Sequence, residues 1–246
     1  MSYPCLSELI RGQVARAPCA ACETAEEYYV TERSIATTTH GRYLVIPAAV
    51  AGPAPMLVGF HGYGEDADTQ LERLRAIPGS AGWIAVSIQA LHPFYERRTN
   101  RVVASWMTRQ DRESAIADNL AYVRNCVAAV SSEWPTARKI VFAGFSQGVA
   151  MAFRAAVNAG ASESAVIAVG GDVPPELPAE ALKRLSGALI VHGASDEWYR
   201  REQFAADEKR LGESFVSVRA VEFNGGHEWS SAVAAVAAEF LRERLS

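Results

Sequence analysis

The feature that most constrains the fold is the regular alternation, from about residue 40 onward, of short β-branched runs with longer amphipathic stretches. Most of the short runs are apolar throughout, which suits strands that are covered by helices on both faces. This alternation predicts an α/β fold in which a doubly wound, mostly parallel sheet is flanked by helices. The predicted strands are residues 42–46, 56–60, 83–88, 139–143, 165–169, 188–191 and 216–223.

Two of the longer stretches carry apolar residues at three- and four-residue spacing and predict helices over residues 112–131 and 230–245. No internal repeat, low-complexity tract or linker rich in Pro, Gly or Ser divides the chain. A chain of 246 residues with 49% hydrophobic residues can bury the core of a single domain. We therefore expect a single domain over residues 34–246. It follows an N-terminal extension, residues 1–33, that serves as a cap, an oligomer contact or a packing segment.

Charge and hydropathy limit the partners of the chain. The formal net charge of -4 arises from 24 Lys and Arg against 28 Asp and Glu, without a long run of either sign, which argues against nucleic acid as a partner. No segment approaches the roughly 20 apolar residues that span a bilayer, and the first residues lack the apolar stretch of a secretory signal. These observations predict a soluble, cytoplasmic protein with no membrane span.

The four cysteines are too few for a disulfide scaffold in a chain of this length, so reduced thiols are expected. Cys19 and Cys22 form a Cys-x-x-Cys, which leaves zinc binding or redox exchange as a minor alternative. A structural zinc site needs four ligands, and no second pair follows. We expect no metal and no other cofactor.

The strongest local signal is Gly144-Phe145-Ser146-Gln147-Gly148, which lies between a predicted strand and an alanine-rich helical run. A serine on such a turn is held in a strained backbone conformation, and the glycines on either side avoid collisions with neighbouring elements. The helix that begins behind the serine directs backbone N–H groups and a partial positive charge at any anion formed there. Ser146 is therefore the candidate nucleophile.

A serine hydroxyl needs a base to take its proton and a third group to fix the tautomer of that base. Asp196 and His227 each follow the end of a predicted strand, and of the five histidines His227 alone combines this place with the right chain order. The order Ser, Asp, His is that of the α/β-hydrolases. Other acids in comparable positions are Asp172, Glu197 and Glu228.

The segment Phe60-His61-Gly62-Tyr63-Gly64 also follows a predicted strand. Its backbone matters because an oxyanion that forms during acyl transfer must meet preorganised N–H donors. In this fold one donor is the residue after the nucleophile, here Gln147, and the other comes from this earlier loop. Tyr63 N–H is the predicted second donor.

With these residues placed, the chain resembles the phospholipase and carboxylesterase family of α/β-hydrolases, which includes acyl-protein thioesterases. The resemblance runs from about residue 40 to the end and rests on HGxG at 61–64, Ser105-Trp106, GFSQG at 144–148, HGxxD at 192–196 and the turn at His227. It implies cofactor-free hydrolysis of carboxylic ester or thioester bonds through an acyl-enzyme. Ser146, Asp196 and His227 match the triad of the family, and Tyr63 and Gln147 match its oxyanion positions.

Aromatic residues in loops near the same sheet edge predict an acyl or aryl pocket, with core packing as the alternative. They are Trp106, Trp198 and Tyr199, with Phe94 and Tyr95 as further candidates. The chain is thus expected to be a serine carboxylesterase or phospholipase-like enzyme that acts on a small-molecule ester or thioester. The alternatives are a small peptidase or amidase with the same triad and a noncatalytic binding module on the same fold. The oligomeric state stays open between a monomer and a homodimer.

Overall fold

The computed structural model describes residues 30–159 and 163–245, together with the backbone of residues 15–16 and 27–28. The described strands are β1 Ala15–Arg16, β2 Glu27–Tyr28, β3 Tyr43–Ile46, β4 Ala54–Phe60, β5 Ile84–Ile88, β6 His92–Tyr95, β7 Val102–Ser105, β8 Thr136–Phe145, β9 Glu163–Val169, β10 Leu185–Gly193 and β11 Val218–Phe223. The described helices are α1 Ala67–Ala76, α2 Arg112–Glu133, α3 Gln147–Asn158, α4 Ala179–Leu182, α5 Arg201–Glu213 and α6 Ser231–Leu245, with a 3₁₀ turn at Ser80–Gly82.

The chain divides into two units, Met1–Thr39 and His40–Ser246. In the first unit β1 and β2 pair antiparallel. Most of the predicted extension 1–33 lies outside the described residues, as do Cys19 and Cys22. The second unit is a single α/β domain, and the boundary predicted between residues 33 and 34 stays a prediction.

A seven-stranded sheet in the order β11-β10-β9-β8-β4-β5-β3 forms the centre of the domain. All neighbouring strands are parallel except β3 and β5, which pair antiparallel at one edge. Parallel neighbours need crossover connections, and the long amphipathic stretches of the sequence supply them as helices. The carboxyl ends of the parallel strands consequently meet at one edge of the sheet, where the loops of the candidate site lie.

Both faces of the sheet are buried. Along β4, Met56 and Val58 belong to one hydrophobic cluster, whereas Leu57 between them belongs to the other. Helices α2, α3 and α5 complete the first cluster, and α1 and α6 complete the second. Because each face needs apolar side chains, the buried parts of the central strands are apolar at nearly every position. Each fully buried large side chain contributes about 1.5–3 kcal/mol.

The predicted doubly wound sheet is confirmed, and all seven predicted strands are present with shifted ends. Val216 was predicted to begin the last strand, but β11 begins at Val218. Val216 is apolar because it is buried in the core just before the strand. Phe94 and Tyr95 were placed in a loop, which is wrong: they lie in β6, which pairs antiparallel with β7. The four residues of β6 are exposed, so this strand lacks the apolar pattern that marks the others.

Candidate active site

Ser146 lies on the sharp turn between β8 and α3, in a backbone conformation that glycine adopts far more readily than serine. Its φ is 51° and its ψ is -121°. The Ser146 amide donates a hydrogen bond to the Val169 carbonyl at 2.9 Å, so the central strands hold the residue in place. Conformations of this kind cost on the order of 1–3 kcal/mol each and cluster at functional sites.

The glycines on either side of this turn make its close packing achievable. A Cβ atom on Gly144 would lie 2.5 Å from the Gly148 oxygen. A Cβ atom on Gly148 would lie 2.2 Å from the Phe60 oxygen at the end of β4. Since no side chain fits at these distances, the amino end of α3 lies directly against β4 and turns its free N–H groups toward the same edge of the sheet.

Asp196 and His227 are joined by a hydrogen bond. His227 Nδ1 lies 2.8 Å from Asp196 Oδ2, and the Asp196 side chain is 1% exposed. The other carboxylate oxygen, Oδ1, accepts hydrogen bonds from the amides of Trp198 at 2.8 Å and Tyr199 at 3.0 Å. The carboxylate is therefore fixed on both oxygens and selects the tautomer of His227 that carries its proton on Nδ1.

The other acids considered from the sequence are placed differently. Asp172, Glu197 and Glu228 are all exposed. Of these, Glu228 uses its carboxylate to accept from the Gly226 amide at 3.3 Å. Among the described residues, Asp196 is the carboxylate that contacts the His227 ring.

Two glycines after β9 lie between the serine and the histidine. A Cβ atom on Gly170 would lie 3.1 Å from His227 Cε1, and one on Gly171 would lie 2.5 Å from the Ser146 backbone oxygen. The Phe145 ring also contacts the His227 ring, with their centroids 5.0 Å apart. Within the part of the chain that the structure describes, the Ser146 hydroxyl has no hydrogen-bond partner, and catalytic hydrogen bonds often shorten only when substrate binds.

The loop after β4 presents the backbone amide of Tyr63. On the other side of the same peptide unit, the Gly62 oxygen is contacted by His61 Nδ1 at 2.7 Å and by the Glu65 amide at 3.3 Å. Because the N–H and C=O of one peptide point in opposite directions, these contacts also fix the direction of the Tyr63 N–H. That N–H donates to no acceptor among the described residues.

His61 is buried and holds this loop through both ring nitrogens. Its Nε2 accepts from the Ala90 amide at 3.1 Å, so Nδ1 carries the proton and donates to the Gly62 oxygen. Burial lowers the pKa of His61 below its ordinary value. A protonated ring would place an N–H against the Ala90 N–H, so the fold requires the neutral form.

We expect the free energy of unfolding to fall as the pH drops below about 6.5, by up to about 1.4 kcal/mol per pH unit from this one residue. The unfolded chain binds a proton at His61 in this range while the folded chain does not, so acid favours unfolding until the lowered pKa is reached. Denaturant titrations from neutral to acidic pH would measure this dependence. His61→Gln should reduce the slope, whereas His40→Gln, at an exposed histidine, should not. Equal slopes in all three chains would contradict the requirement for neutral His61.

Glu65 and Arg73 brace the same loop. The Glu65 Oε2 accepts from the Gly62 amide at 2.7 Å, and both carboxylate oxygens accept from Arg73 at 2.6 Å. Burial would raise the pKa of Glu65, but the Arg73 guanidinium and the Gly62 N–H hold it below its usual value. The Arg73 guanidinium also lies 4.2 Å from the centroid of the Phe145 ring. The loop after β4 is thus tied to the residue that precedes Ser146.

Gln147 contributes to the site through backbone and side chain. Its amide is in the first turn of α3, where no intrahelical acceptor exists, and it donates to no acceptor among the described residues. Its side-chain oxygen accepts from the Trp106 amide at 2.9 Å, and its side-chain nitrogen donates to the Met107 oxygen at 3.0 Å. The side chain therefore fixes the segment after β7. The two free amides lie at the same sheet edge, that of Tyr63 in the loop after β4 and that of Gln147 in the first turn of α3.

The three aromatic residues predicted to line a pocket are not brought together. Trp106 is fully buried, and its Nε1 donates to the His61 oxygen at 2.8 Å. Tyr199 is 2% exposed and lies in the core. Trp198 is 80% exposed and lines an open depression with Glu197, Arg200, Glu202 and Gln203. A different aromatic pair, Tyr63 and Phe94, lies near the loop after β4, with ring centroids 5.6 Å apart.

Sequence reasoning missed the residues that support the loops. Glu65 and Arg73 act through tertiary hydrogen bonds, which leave no periodicity or motif spacing in the sequence. His61 belongs to the HGxG segment, for which only a backbone role was predicted. Its position directly after a buried strand, where a polar side chain must find partners, was the signal for a role of the ring.

The described residues hold neither a metal-ligand cluster nor a membrane-spanning helix. Within residues 30–159 and 163–245, no group of three or more His, Cys, Asp and Glu side chains is arranged to hold a metal ion. Among the helices of the same ranges, none combines the length and apolar character needed to cross a bilayer.

Comparison with known proteins identifies the family. The sequence profile described as phospholipase/carboxylesterase matches residues 43–245, which is most of the chain. No curated protein sequence matches the chain.

Solved structures share the fold at low sequence identity. Esterase PE8 is 20% identical, with 83% of this chain and 99% of that chain covered and a TM-score of 0.66. Acyl-protein thioesterase 2 from Zea mays is 20% identical, with coverage of 84% and 100% and a TM-score of 0.65. A carboxylesterase from Mesorhizobium loti is 20% identical, with coverage of 82% and 94% and a TM-score of 0.67. With its parallel sheet and the family match over residues 43–245, the chain belongs to the phospholipase/carboxylesterase family and is an enzyme of the α/β-hydrolase fold.

Proposed function

We propose that this chain hydrolyses carboxylic ester or thioester bonds of small molecules through an acyl-enzyme. Ser146 is the nucleophile, His227 the general base and Asp196 the acid that orients the histidine. The observation that carries the proposal is the 2.8 Å hydrogen bond between Asp196 and His227, at the sheet edge where Ser146 has its strained backbone. A strained serine and an Asp–His pair at one sheet edge are parts of the arrangement that serine hydrolysis requires.

In the acylation step, Ser146 Oγ bonds to the substrate carbonyl carbon while His227 Nε2 takes the hydroxyl proton. The carbonyl π electrons move onto the oxygen, and the amides of Tyr63 and Gln147 donate hydrogen bonds to it. Collapse of this intermediate breaks the bond to the alcohol or thiol. The leaving group receives the proton from His227, and the acyl group stays on Ser146.

In the deacylation step, water replaces the alcohol or thiol. His227 takes a proton from the water as its oxygen attacks the acyl carbonyl, and the same two amides again bind the oxyanion. Collapse releases the carboxylic acid and returns the proton to Ser146. The buried Asp196 carboxylate stabilises the imidazolium form of His227 in both steps and is not itself protonated.

The names of the similar structures support esters and thioesters as the substrate class, since they are an esterase, a carboxylesterase and an acyl-protein thioesterase. A peptidase or amidase with the same triad is the competing enzyme class. It differs in that the poorer amine leaving group must be protonated as it departs. A noncatalytic binding module is the competing nonenzymatic class for this geometry, but it would leave the backbone strain at Ser146 without a purpose.

The test combines labelling with a substrate series. A fluorophosphonate probe is expected to label the chain at Ser146, located by peptide mass spectrometry, because an activated serine attacks phosphorus. p-Nitrophenyl esters from acetate to palmitate, matched thioesters and p-nitroanilides of the same acids would then be compared. We expect turnover of the esters and thioesters to exceed that of the anilides. A preference for anilides would favour the amidase, and neither turnover nor labelling would favour the binding module.

Three expectations beyond the site stay predictions: a cytoplasmic location, a homodimer as the alternative to a monomer, and a separate role for residues 1–33. Trp106, Trp198 and Tyr199 likewise stay predicted pocket residues. The burial of Trp106 and Tyr199 argues against contact of their rings with substrate, and the exposed Trp198 ring is the better candidate for that contact.

A further inference from the structure

A buried carboxylate on α5 joins two loops of the candidate site. Asp207 is 7% exposed, and its Oδ2 accepts hydrogen bonds from the Val173 amide and the Tyr199 hydroxyl, each at 3.0 Å. The mechanism proposed above uses neither the Asp207 carboxylate nor the Tyr199 phenol. Such a group is costly to bury and needs an explanation.

The first loop that Asp207 holds is the segment after β9. Val173 ends this segment, and Gly170 and Gly171 begin it. Gly170 lies against the His227 ring, and Gly171 lies against the Ser146 backbone oxygen. The bond from the Val173 amide to Asp207 therefore anchors the glycines that separate the proposed nucleophile from the proposed base.

The second loop is the turn after β10. The Tyr199 amide donates to Asp196 Oδ1 at 3.0 Å, while its hydroxyl donates to Asp207 at 3.0 Å. The phenol thus pins the same residue whose backbone orients the Asp196 carboxylate. A phenylalanine at this position would fill almost the same space but would leave the ring without its anchor.

Burial and nearby charges act on both partners of the Tyr199–Asp207 hydrogen bond. Burial raises the pKa of the Tyr199 phenol, so the hydroxyl keeps its proton and remains a donor. Burial also raises the pKa of Asp207, and Asp172 acts in the same direction, whereas Arg210 opposes it. Arg210 additionally donates to the Val173 oxygen at 3.2 Å, so the loop after β9 is held at both its amide and its carbonyl.

We infer that Tyr199 and Asp207 are positioning residues for the proposed triad. Through Oδ2 of Asp207, which accepts from both the Tyr199 hydroxyl and the Val173 amide, they hold Asp196 and the loop beside His227 in fixed positions relative to each other. The inference rests on the proposed function. It assigns to Tyr199 a role in orienting the acid. Displacements of about 1 Å at a catalytic group can cost about 100-fold in rate, so a brace of this kind has a measurable effect.

Tyr199→Phe in the full chain is expected to lower kcat for the best p-nitrophenyl ester by about 10-fold, with KM changed by less than about 2-fold. The low-field proton resonance of His227 Nδ1–H should shift or broaden, because it reports the Asp196–His227 bond without depending on turnover. Asp207→Asn keeps an oxygen that accepts both bonds, and it should retain more of the wild-type kcat than Asp207→Leu does.

Phe204→Leu is the matched control, because Phe204 packs on the Tyr199 ring at 6.2 Å between centroids without joining the hydrogen-bonded chain. It should lower the melting temperature but leave kcat and the low-field resonance unchanged. An unchanged kcat and resonance in Tyr199→Phe would overturn the inference, as would an equal loss of kcat in Phe204→Leu. Failure of the proposed function would instead appear in the wild-type chain, as absent labelling and absent turnover.

Discussion

Replacing Ser146 by alanine is expected to lower kcat for ester hydrolysis by roughly 10⁴- to 10⁶-fold. Alanine has no hydroxyl to form the acyl-enzyme, so any residual rate comes from the oxyanion donors and substrate binding. Serine and alanine both carry a Cβ, so both tolerate a φ of 51° about equally, and the fold should survive the change. Initial rates on the best p-nitrophenyl ester, with a circular dichroism melt of the same sample, would measure both effects.

The matched control is Ser132→Ala. Ser132 is exposed on α2, and among the described residues its hydroxyl bonds only to the Ala129 oxygen, so this variant should keep both the wild-type kcat and fluorophosphonate labelling. Retention of more than a few per cent of kcat by Ser146→Ala, in a preparation free of contaminating esterase, would exclude Ser146 as the nucleophile. A burst of product equal to the enzyme concentration in the wild type, absent in Ser146→Ala, would add direct evidence for the acyl-enzyme.

Asp196→Asn is expected to lower kcat by about 10⁴-fold while the protein stays folded. The amide oxygen can still accept from the Trp198 and Tyr199 amides, which preserves the turn. The amide nitrogen must then face His227 Nδ1, and because it is a donor it forces the ring proton onto Nε2. A ring in that tautomer cannot take the serine proton. Rates over a range of pH, with a crystal structure of the variant, would separate this effect from misfolding.

Asp172→Asn is the control that distinguishes between the two aspartates. Asp172 is exposed and lies one residue beyond the glycine pair, so its change to asparagine should leave kcat within about 2-fold of wild type, as surface changes usually do. If Asp172→Asn instead lost activity as severely as Asp196→Asn, the assignment of a single acid would be wrong and the two carboxylates would have to act together.

The sheet was predictable because its strands are buried on both faces. A strand with both faces covered is apolar at consecutive positions, and most of the seven predicted runs show this pattern. The edge strands β3 and β11 are only partly buried, and β11 carries polar residues among its apolar ones. The hairpin of β6 and β7 was not predictable in the same way. His92–Tyr95 is exposed along its length and, within the described part of the chain, pairs with the single strand β7, so burial leaves no pattern on it.

The candidate site was predictable only to the level of strand ends and chain order. Parallel strands end at one edge of the sheet, which is why residues that follow β8, β10 and β11 meet there. Side-chain direction is another matter. Trp106 and Tyr199 occupy loops near the site, yet their rings are buried in the core. Burial of a large aromatic side chain stabilises the fold more than its exposure in a pocket would. The role of Asp207 could not be predicted, because its hydrogen-bond partners Val173 and Tyr199 belong to other segments that only the fold brings close.

The backbone at Ser146 also bears on how this chain would respond to selection. At φ 51° and ψ -121° glycine has the lowest conformational energy. Any residue with a side chain lowers the free energy of unfolding at this position, and other interactions in the domain must offset that loss. A population of sequences filtered for thermal robustness alone would drift toward glycine at this position. If serine persists at this position under such selection, the chain gives up some thermal stability there in exchange for the catalytic hydroxyl, and this cost arises at one residue.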